Sequence, residues 1–320
     1  MSNNIKSALI VGVGEIAKEY CRILKDMGVL PDVVCRSEQK AEVFRCEEHV
    51  RVFSGGIEAF LNDNLVDYDY AIVAVDVESL SYVSCQVIQS GIKNVLVEKP
   101  AGMNRAEIEK IVTLAETNDA SVYVAYNRRF YAATEKAIQI IKEDGGVKSL
   151  NFEFTEWSHV IESLPYSKRV KENWFFENST HVVDLAFFLG GKPKEIKCYT
   201  SGSLNWHNSS AIYAGAGITD KEALFTYNAN WAAPGRWAVE ILTSKHRLFF
   251  RPMESLSIQE IGSVKIDSVD IENDLDIRFK PGFYKQTESF INHIDDGKKK
   301  TIQEQLRALD YYEKIDNFRA

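Results

Sequence analysis

Ser7-Ala8-Leu9-Ile10-Val11-Gly12-Val13-Gly14-Glu15-Ile16-Ala17 passes from a continuous apolar run, through two glycines, into a helical pattern. An apolar run of this kind suits a strand buried on both faces. After it, Ile16, Tyr20, Ile23, Leu24 and Met27 recur at helical spacing, and Gly28 supplies a stop. The turn itself, Gly12-Val13-Gly14-Glu15-Ile16-Ala17, is a dinucleotide fingerprint with alanine in its third position. Gly12 permits the tight turn, Gly14 lets the backbone approach a pyrophosphate, and Ala17 lets helix and strand pack closely. The helix start, with Glu15 and Ile16 in its first turn, offers N–H groups and a favourable dipole to that anion. The same glycines also suit an ordinary βα loop; their place after an apolar strand in a βαβ rhythm favours the cofactor.

That rhythm continues. Asp32 to Arg36, Ala71 to Val75, Lys93 to Val97 and Ser121 to Tyr126 read as strands. Between them lie helical patterns, one carrying Val83, Val87 and Ile88 and another opened by Asn104 and Glu107 as a capping box. Strands alternating with helices imply a doubly wound parallel sheet covered on both faces. From about Val122 the pattern changes, which divides the chain into a dinucleotide-binding domain at 1–122 and a second domain at 123–320. There Leu150, Phe152 and Phe154 alternate with polar residues, a helix starts near Ser179 and ends at Gly190-Gly191, and strand-like runs follow at 195–200, 223–230, 237–242 and 247–250. Two helices, near 284–294 and 302–318, close the chain. Consecutive strands with few helices between them predict an α+β domain whose sheet is mixed or antiparallel.

With 320 residues, 45% of them hydrophobic, the chain has material for two cores. Its net charge of -8 argues against a general nucleic-acid or membrane-surface binder, since both need a basic face. Cys21, Cys35, Cys46, Cys85 and Cys198 form no CxxC pair and no metal-ligand spacing, so a metal-free protein with reduced thiols, in the cytoplasm, is expected. No apolar stretch reaches the length of a signal peptide or a membrane span.

Residues that carry chemistry stand at the strand ends. The second strand closes with Cys35-Arg36-Ser37-Glu38, and an arginine followed by a serine suits the 2′-phosphate of NADP(H). In the alternative, Arg36 is solvated and Glu38 holds the ribose of NAD(H). Glu98-Lys99-Pro100 ends a buried strand, where open α/β sheets bind ligands, and a lysine there can stabilise charge developing on a substrate oxygen. Further on come Tyr126-Asn127-Arg128-Arg129-Phe130 and Glu177-Asn178-Ser179-Thr180-His181-Val182-Val183-Asp184. Histidine titrates near neutrality and suits proton transfer. Glu177 and His181, four apart at a helix start, are expected to share a cleft.

Taken in order, the glycine turn, Glu98-Lys99-Pro100 and the His181-x-x-Asp184 element resemble the glucose–fructose oxidoreductase / inositol dehydrogenase / MocA family over essentially the whole chain. The resemblance implies a Rossmann domain followed by an α/β domain with a large open sheet that makes homodimer or homotetramer contacts. It implies Lys99 at the reacting hydroxyl or carbonyl, His181 as general acid/base, and Glu177 where many members carry aspartate. Glu98 and Val75, in the loop Ala74-Val75-Asp76-Val77-Glu78 that departs from the family's usual threonine pair, join the expected cofactor contacts. Tyr126, Asn127, Arg128, Trp174 and Asp184 are candidates for substrate contact. Lys168, Arg169 and Lys171 form a basic cluster that suits either an anionic substrate or solvent. The expected activity is hydride transfer between a nicotinamide and a secondary alcohol or ketone of a sugar, cyclitol or nucleotide-sugar. Its rivals are a reductase of the dihydrodiol or tetrapyrrole type and a dinucleotide sensor without turnover.

Overall fold

The structure, a computed structural model, describes residues 6–63 and 67–317. In chain order the first elements are β1 (Ala8–Val11), α1 (Glu15–Asp26), β2 (Pro31–Val34), α2 (Glu38–Glu48), β3 (Val52–Phe53), α3 (Gly56–Asp63) and β4 (Tyr70–Val73). α4 (Leu80–Gln89), β5 (Asn94–Glu98), α5 (Arg105–Thr117) and β6 (Ser121–Ala125) follow. The chain continues through α6 (Ala132–Glu143), β7 (Ser149–Glu153), α7 (Ser158–Ile161), α8 (Lys168–Glu172) and α9 (Thr180–Gly190). Next are β8 (Pro193–Ser201), β9 (Ile212–Thr219), β10 (Leu224–Asn230), β11 (Ala238–Leu242), β12 (His246–Phe250), β13 (Ser257–Glu260) and β14 (Asp267–Ser268). α10 (Asp274–Arg278), α11 (Phe283–Ile291), β15 (Lys300–Thr301) and α12 (Ile302–Asp316) complete it.

Packing divides the chain into two compact units, one of residues up to 127 with 278–307, the other of 128–277 with residues from 308 on. The expected division at 122/123 ran the second part unbroken to 320. In the structure, α11 and β15 instead belong with the first unit, where Tyr20 packs on Phe283 and Lys300 pairs with Val124.

The first unit holds a seven-stranded sheet ordered β15-β6-β5-β4-β1-β2-β3, parallel except for β15. The chain winds outward from β1 to β3 on one side and from β4 to β6 on the other, so the order reverses between β1 and β4. Ligands of open α/β sheets bind at such a reversal, beyond the carboxyl ends of the strands. β1, β2 and β4 are buried along their length, which is why their sequences read as unbroken apolar runs. Helix starts are capped locally: Asn104 Oδ1 accepts from Glu107 N at 3.0 Å, and Glu107 reaches back to Met103 N at 2.7 Å.

The second unit holds an eight-stranded sheet ordered β14-β13-β12-β11-β7-β10-β9-β8, in which only β7 and β10 run parallel. The doubly wound sheet and the large mixed sheet expected from sequence are thus both present. α9 covers one face of the second sheet: Phe187 meets Phe152 and Phe225 edge-on at 5.3 and 5.1 Å. Burying a side chain of this size contributes about 1.5–3 kcal/mol. Away from α9, Tyr199 and Leu224 stay 72% and 62% exposed.

Strands β3, β9, β13, β14 and β15 were not expected from sequence. The helix expected near Ser179 opens as a five-residue π turn, Phe175–Ser179, before α9 begins. Glu177 therefore lies in the wider turn, directly before the α-helical turn that carries His181.

Candidate functional site

In the first unit the glycine turn caps β1 at the reversal of strand order. Gly12 has φ +129°, and a Cβ there would stand 2.1 Å from the carbonyl oxygen of Ala74. Only glycine lets the turn lie against the loop after β4, and the same contact brings Val75 beside it. A Cβ at Gly14 would meet nothing within 4 Å, and no side chain caps α1 there. The open approach and uncapped amides fit a pyrophosphate. Glu15 stands outside on the helix surface, bound to Lys18 at 3.3 Å, and Ile16 is half-buried.

Arg36 lies just beyond β2, with its side chain 82% exposed and paired to Asp76 at 3.1 Å. The loop that departs from the family pattern thus supplies the partner of the expected phosphate-binding arginine. Ser37 caps α2, its Oγ accepting from Lys40 N at 3.3 Å. A serine hydroxyl in that role keeps its proton free to donate.

Glu98 ends β5 and accepts a 2.7 Å bond from the Tyr20 hydroxyl, which in turn accepts from Gln286 at 3.0 Å. Burial pushes the Glu98 carboxyl above the usual carboxylate range, against the Tyr20 bond that favours its charged form. Glu98 thereby ties the strand end to α1 and α11. Lys99 follows in a tight turn closed by Ala101 N donating to the Glu98 carbonyl at 3.0 Å, with the Lys99–Pro100 peptide cis. Gln305 Nε2 donates to the Pro100 carbonyl at 3.1 Å. Tyr126 is buried with the Lys300 ammonium 4.3 Å from its ring, and Asn127 donates to the Pro281 carbonyl at 2.9 Å.

In the second unit His181 occupies the first turn of α9, almost wholly buried, its ring 6.3 Å from that of Trp237. Asp184, one turn on, is gripped by Arg129 through two bonds of 2.7 and 2.8 Å, both residues buried. This fork fixes α9 against the segment before α6 and gives Asp184 an orienting role. Trp174 packs between Tyr166 and Trp206 at 5.6 and 6.2 Å. The basic cluster sits on short α8, where Lys168 pairs with Glu172 at 3.6 Å and Lys171 donates to the Glu162 carbonyl at 2.8 Å. These contacts suit a solvated helix surface.

The structure adds three residues that sequence reading missed: Glu156, Arg236 and Trp237. Glu156 is 1% exposed and accepts from Ser179 Oγ at 2.8 Å and Asn178 Nδ2 at 3.1 Å, holding the π turn that precedes His181. Arg236 approaches it at 3.5 Å. Burial pushes the Glu156 carboxyl up to about 7 despite these donors. The repeated acidic-or-basic-plus-tryptophan pairs, Glu156-Trp157 and Arg236-Trp237, were the available signal. Among the described residues no group of three or more His, Cys, Asp or Glu is placed to hold a metal ion. No helix among them is long and apolar enough to cross a membrane.

Comparison with known proteins agrees with this geometry. Residues 6–126 match the model of the Gfo/Idh/MocA oxidoreductase family, NAD-binding Rossmann fold. The uncharacterised oxidoreductase YgjR of Escherichia coli K12 is 22% identical over 204 residues, covering 60% of each chain. The chain thus spans about three fifths of that relative's length. Among solved structures, an oxidoreductase from Desulfitobacterium hafniense DCB-2 superposes with a TM-score of 0.80 at 18% identity, over 99% of this chain and 96% of the other. A levoglucosan dehydrogenase in complex with NADH superposes with a TM-score of 0.79 at 15% identity, over 98% and 96%. At these identities the likeness is one of fold.

Proposed function

We propose that the chain, whose residues 6–126 match the model of the Gfo/Idh/MocA oxidoreductase family with its NAD-binding Rossmann fold, is a nicotinamide-dependent dehydrogenase or reductase of a sugar, cyclitol or nucleotide-sugar secondary alcohol. The observation that carries the proposal is the glycine turn at the reversal of strand order, where Gly12 touches the Ala74 carbonyl and Gly14 faces open space. The named activity of the levoglucosan dehydrogenase with the same fold supports the substrate class.

Gly12, Gly14 and the first turn of α1, with Glu15 and Ile16, hold the pyrophosphate in this reading, and Val75 and Glu98 line the cofactor side. The nicotinamide, when bound, supplies hydride exchange. Oxidising an alcohol also releases a proton, and that is the task of the chain's own residues. Lys99 donates to the reacting oxygen and steadies the negative charge that grows on it. His181 takes the hydroxyl proton, or returns it in the reducing direction. Glu177 assists His181, while Arg129 and Asp184 fix the helix that carries it. Tyr126, Asn127, Arg128 and Trp174 contribute to substrate placement.

Arg36 and Ser37 favour NADP(H) over NAD(H): the guanidinium supplies a charged fork and the serine a further donor. The Asp76 carboxylate holds Arg36 at the loop and would yield it to the 2′-phosphate. The protein acts as a homodimer or homotetramer, a reading supported by the exposed apolar residues of the second sheet, and the five free cysteines suit a reducing cytoplasm.

Fluorescence titration of NADPH and NADH tests the cofactor. Tighter NADPH binding, weakened about tenfold in Arg36→Ala with NADH unaffected, is the expected result. Equal binding of both, unchanged by the substitution, would remove Arg36 from the site; binding of neither would remove the proposal.

A further inference from the structure

Around Trp237 the second unit assembles a cluster of rings and cations. The Arg236 guanidinium lies 4.7 Å from the ring of Trp157 and 4.5 Å from that of Trp237. Arg128 lies 4.6 Å from Trp237. Such stacking is worth about 0.5–2 kcal/mol per contact and holds a guanidinium in place. The indole of Trp157 donates to the Gly235 carbonyl at 3.0 Å, which fixes that ring.

Arg128 makes no ion pair with any described residue, and its Nε is buried without a hydrogen-bond partner. A buried charged donor left without an acceptor is costly, and native structures seldom keep one without a use. Burial and, less strongly, the like charge of Arg236 act against the Arg128 cation, while Tyr131, Glu254 and Glu156 favour it only through their field. Of the two arginines, Glu156 pairs only with Arg236, at 3.5 Å. Two guanidiniums thus border one indole, and among the described residues one carboxylate, that of Glu156, pairs with either of them.

We propose that Arg128 and Arg236, ordered on Trp237, form a subsite for a carboxylate of the substrate, so that the preferred substrate is a sugar acid. This rests on the reading of His181 as the proton-transfer residue, because it is His181 that fixes where the reacting hydroxyl lies. The His181 ring and the Arg128 guanidinium border the same indole, at 6.3 and 4.6 Å. In this reading one sugar residue lies against that indole, with its hydroxyl at the histidine and its carboxylate at the arginines. A carboxylate presents two oxygens to the fork of a guanidinium, which makes Arg the better reader of it than Lys.

Isothermal titration of the NADPH-bound protein tests the subsite without requiring turnover. The probes are galacturonate, glucuronate and gluconate, set against galactose, glucose and glucitol, with UDP-galactose as a neutral sugar bearing a diphosphate. At least one acid is expected to bind tenfold or more tighter than its neutral partner. Arg128→Gln and Arg236→Gln should each abolish that preference, with NADPH binding unchanged; if Arg128→Gln loses NADPH binding through misfolding, the half-exposed Arg236 carries the test. Equal binding of acids and neutral partners overturns the subsite, as does failure of all three acids to bind or a preference that survives both substitutions. UDP-galactose binding that exceeds every acid and falls in both variants overturns the carboxylate in favour of a diphosphate. Acid binding that depends on both arginines supports the subsite even if no sugar is oxidised, in which case it is the dehydrogenase reading that fails.

Discussion

Lys99 and His181 bear the chemistry in this reading, and each is held by neighbours that do none. Lys99 is fixed by the turn closed between Glu98 and Ala101, and His181 by a helix start tied to Glu156 through Ser179 and Asn178. Replacing either by alanine should lower kcat by a factor of about 10²–10⁴, the usual worth of positioned proton transfer, while the NADPH dissociation constant stays within twofold. Steady-state kinetics beside a binding titration measures both, and near-wild-type kcat in both variants would end the assignment. Glu156 offers a second test at this scale. Its carboxyl titrates near 7 in the folded protein against an ordinary 4.5, so the folded state holds the extra proton between those values. Its contribution to stability is therefore complete below about pH 4.5 and lost as pH rises through 7, amounting to about 3 kcal/mol at most. Glu156→Gln should gain Tm relative to the wild type as pH is raised from 5 to 8. Asp316, pushed to about 7 in the same unit, adds the same slope to both proteins and cancels in the difference. A Tm difference independent of pH would show that Glu156 is charged throughout. Lys99 and His181 were legible because each sits in a short motif. Glu156 and Arg236 were not, because they are 80 residues apart and meet only just beyond the last β7–β11 pair, Glu153 with Ala238.

At the scale of elements, the glycine turn makes opposite demands at its two glycines. An alanine at position 12 would need φ +129° and would press its Cβ 2.1 Å from a backbone oxygen, so the loop after β4 must move. Gly12→Ala should lose cofactor binding by about a hundredfold or more and lower Tm by several degrees. Gly14 has φ -81° and open space ahead of it, so Gly14→Ala should keep its Tm and weaken only the cofactor. Thermal melts with NADPH titrations separate the two; undiminished binding in Gly14→Ala would mean that the pyrophosphate does not approach there. Strands of the first sheet could be read from sequence because burial on both faces demands unbroken apolar runs. β9 could not, since Ala214-Gly215-Ala216-Gly217 has the composition of a loop. Those glycines exist for close approach: a Cβ on Gly217 would lie 2.0 Å from the Glu195 carbonyl and 2.6 Å from the Phe225 ring. The π turn was hidden for a related reason. Glu177-Asn178-Ser179 reads locally as a helix start, and the wider turn goes with bonds that Asn178 and Ser179 donate to buried Glu156, a residue distant in sequence.

At the scale of the whole molecule, the second sheet poses the remaining question. α9 covers one face of β7 and β10, but across β8, β9 and β10 the registers align Tyr199 with Ala214 and Asn228, and Glu195 with Ile218 and Leu224. Tyr199, Ile212 and Leu224 are 72%, 40% and 62% exposed. A sheet face that carries large apolar side chains beside small ones, Ala214 and Ala216, suits a contact with another copy of itself, because apolar surface left in water favours that meeting. Symmetry then makes the contact closed, so one patch serves both copies. Light scattering behind size exclusion should give a mass of at least twice 36.3 kDa. Tyr199→Glu with Leu224→Glu should reduce it to the monomer, because each substitution would bury a charge against its own copy. Gln286 and Tyr20 brace Glu98 within the first unit alone, so the separated chains should keep the NADPH affinity of the assembly. A wild-type protein that elutes as a monomer at micromolar concentration would remove the assembly and leave the exposed face without a partner. An assembly that survives both glutamates would move the interface to another surface.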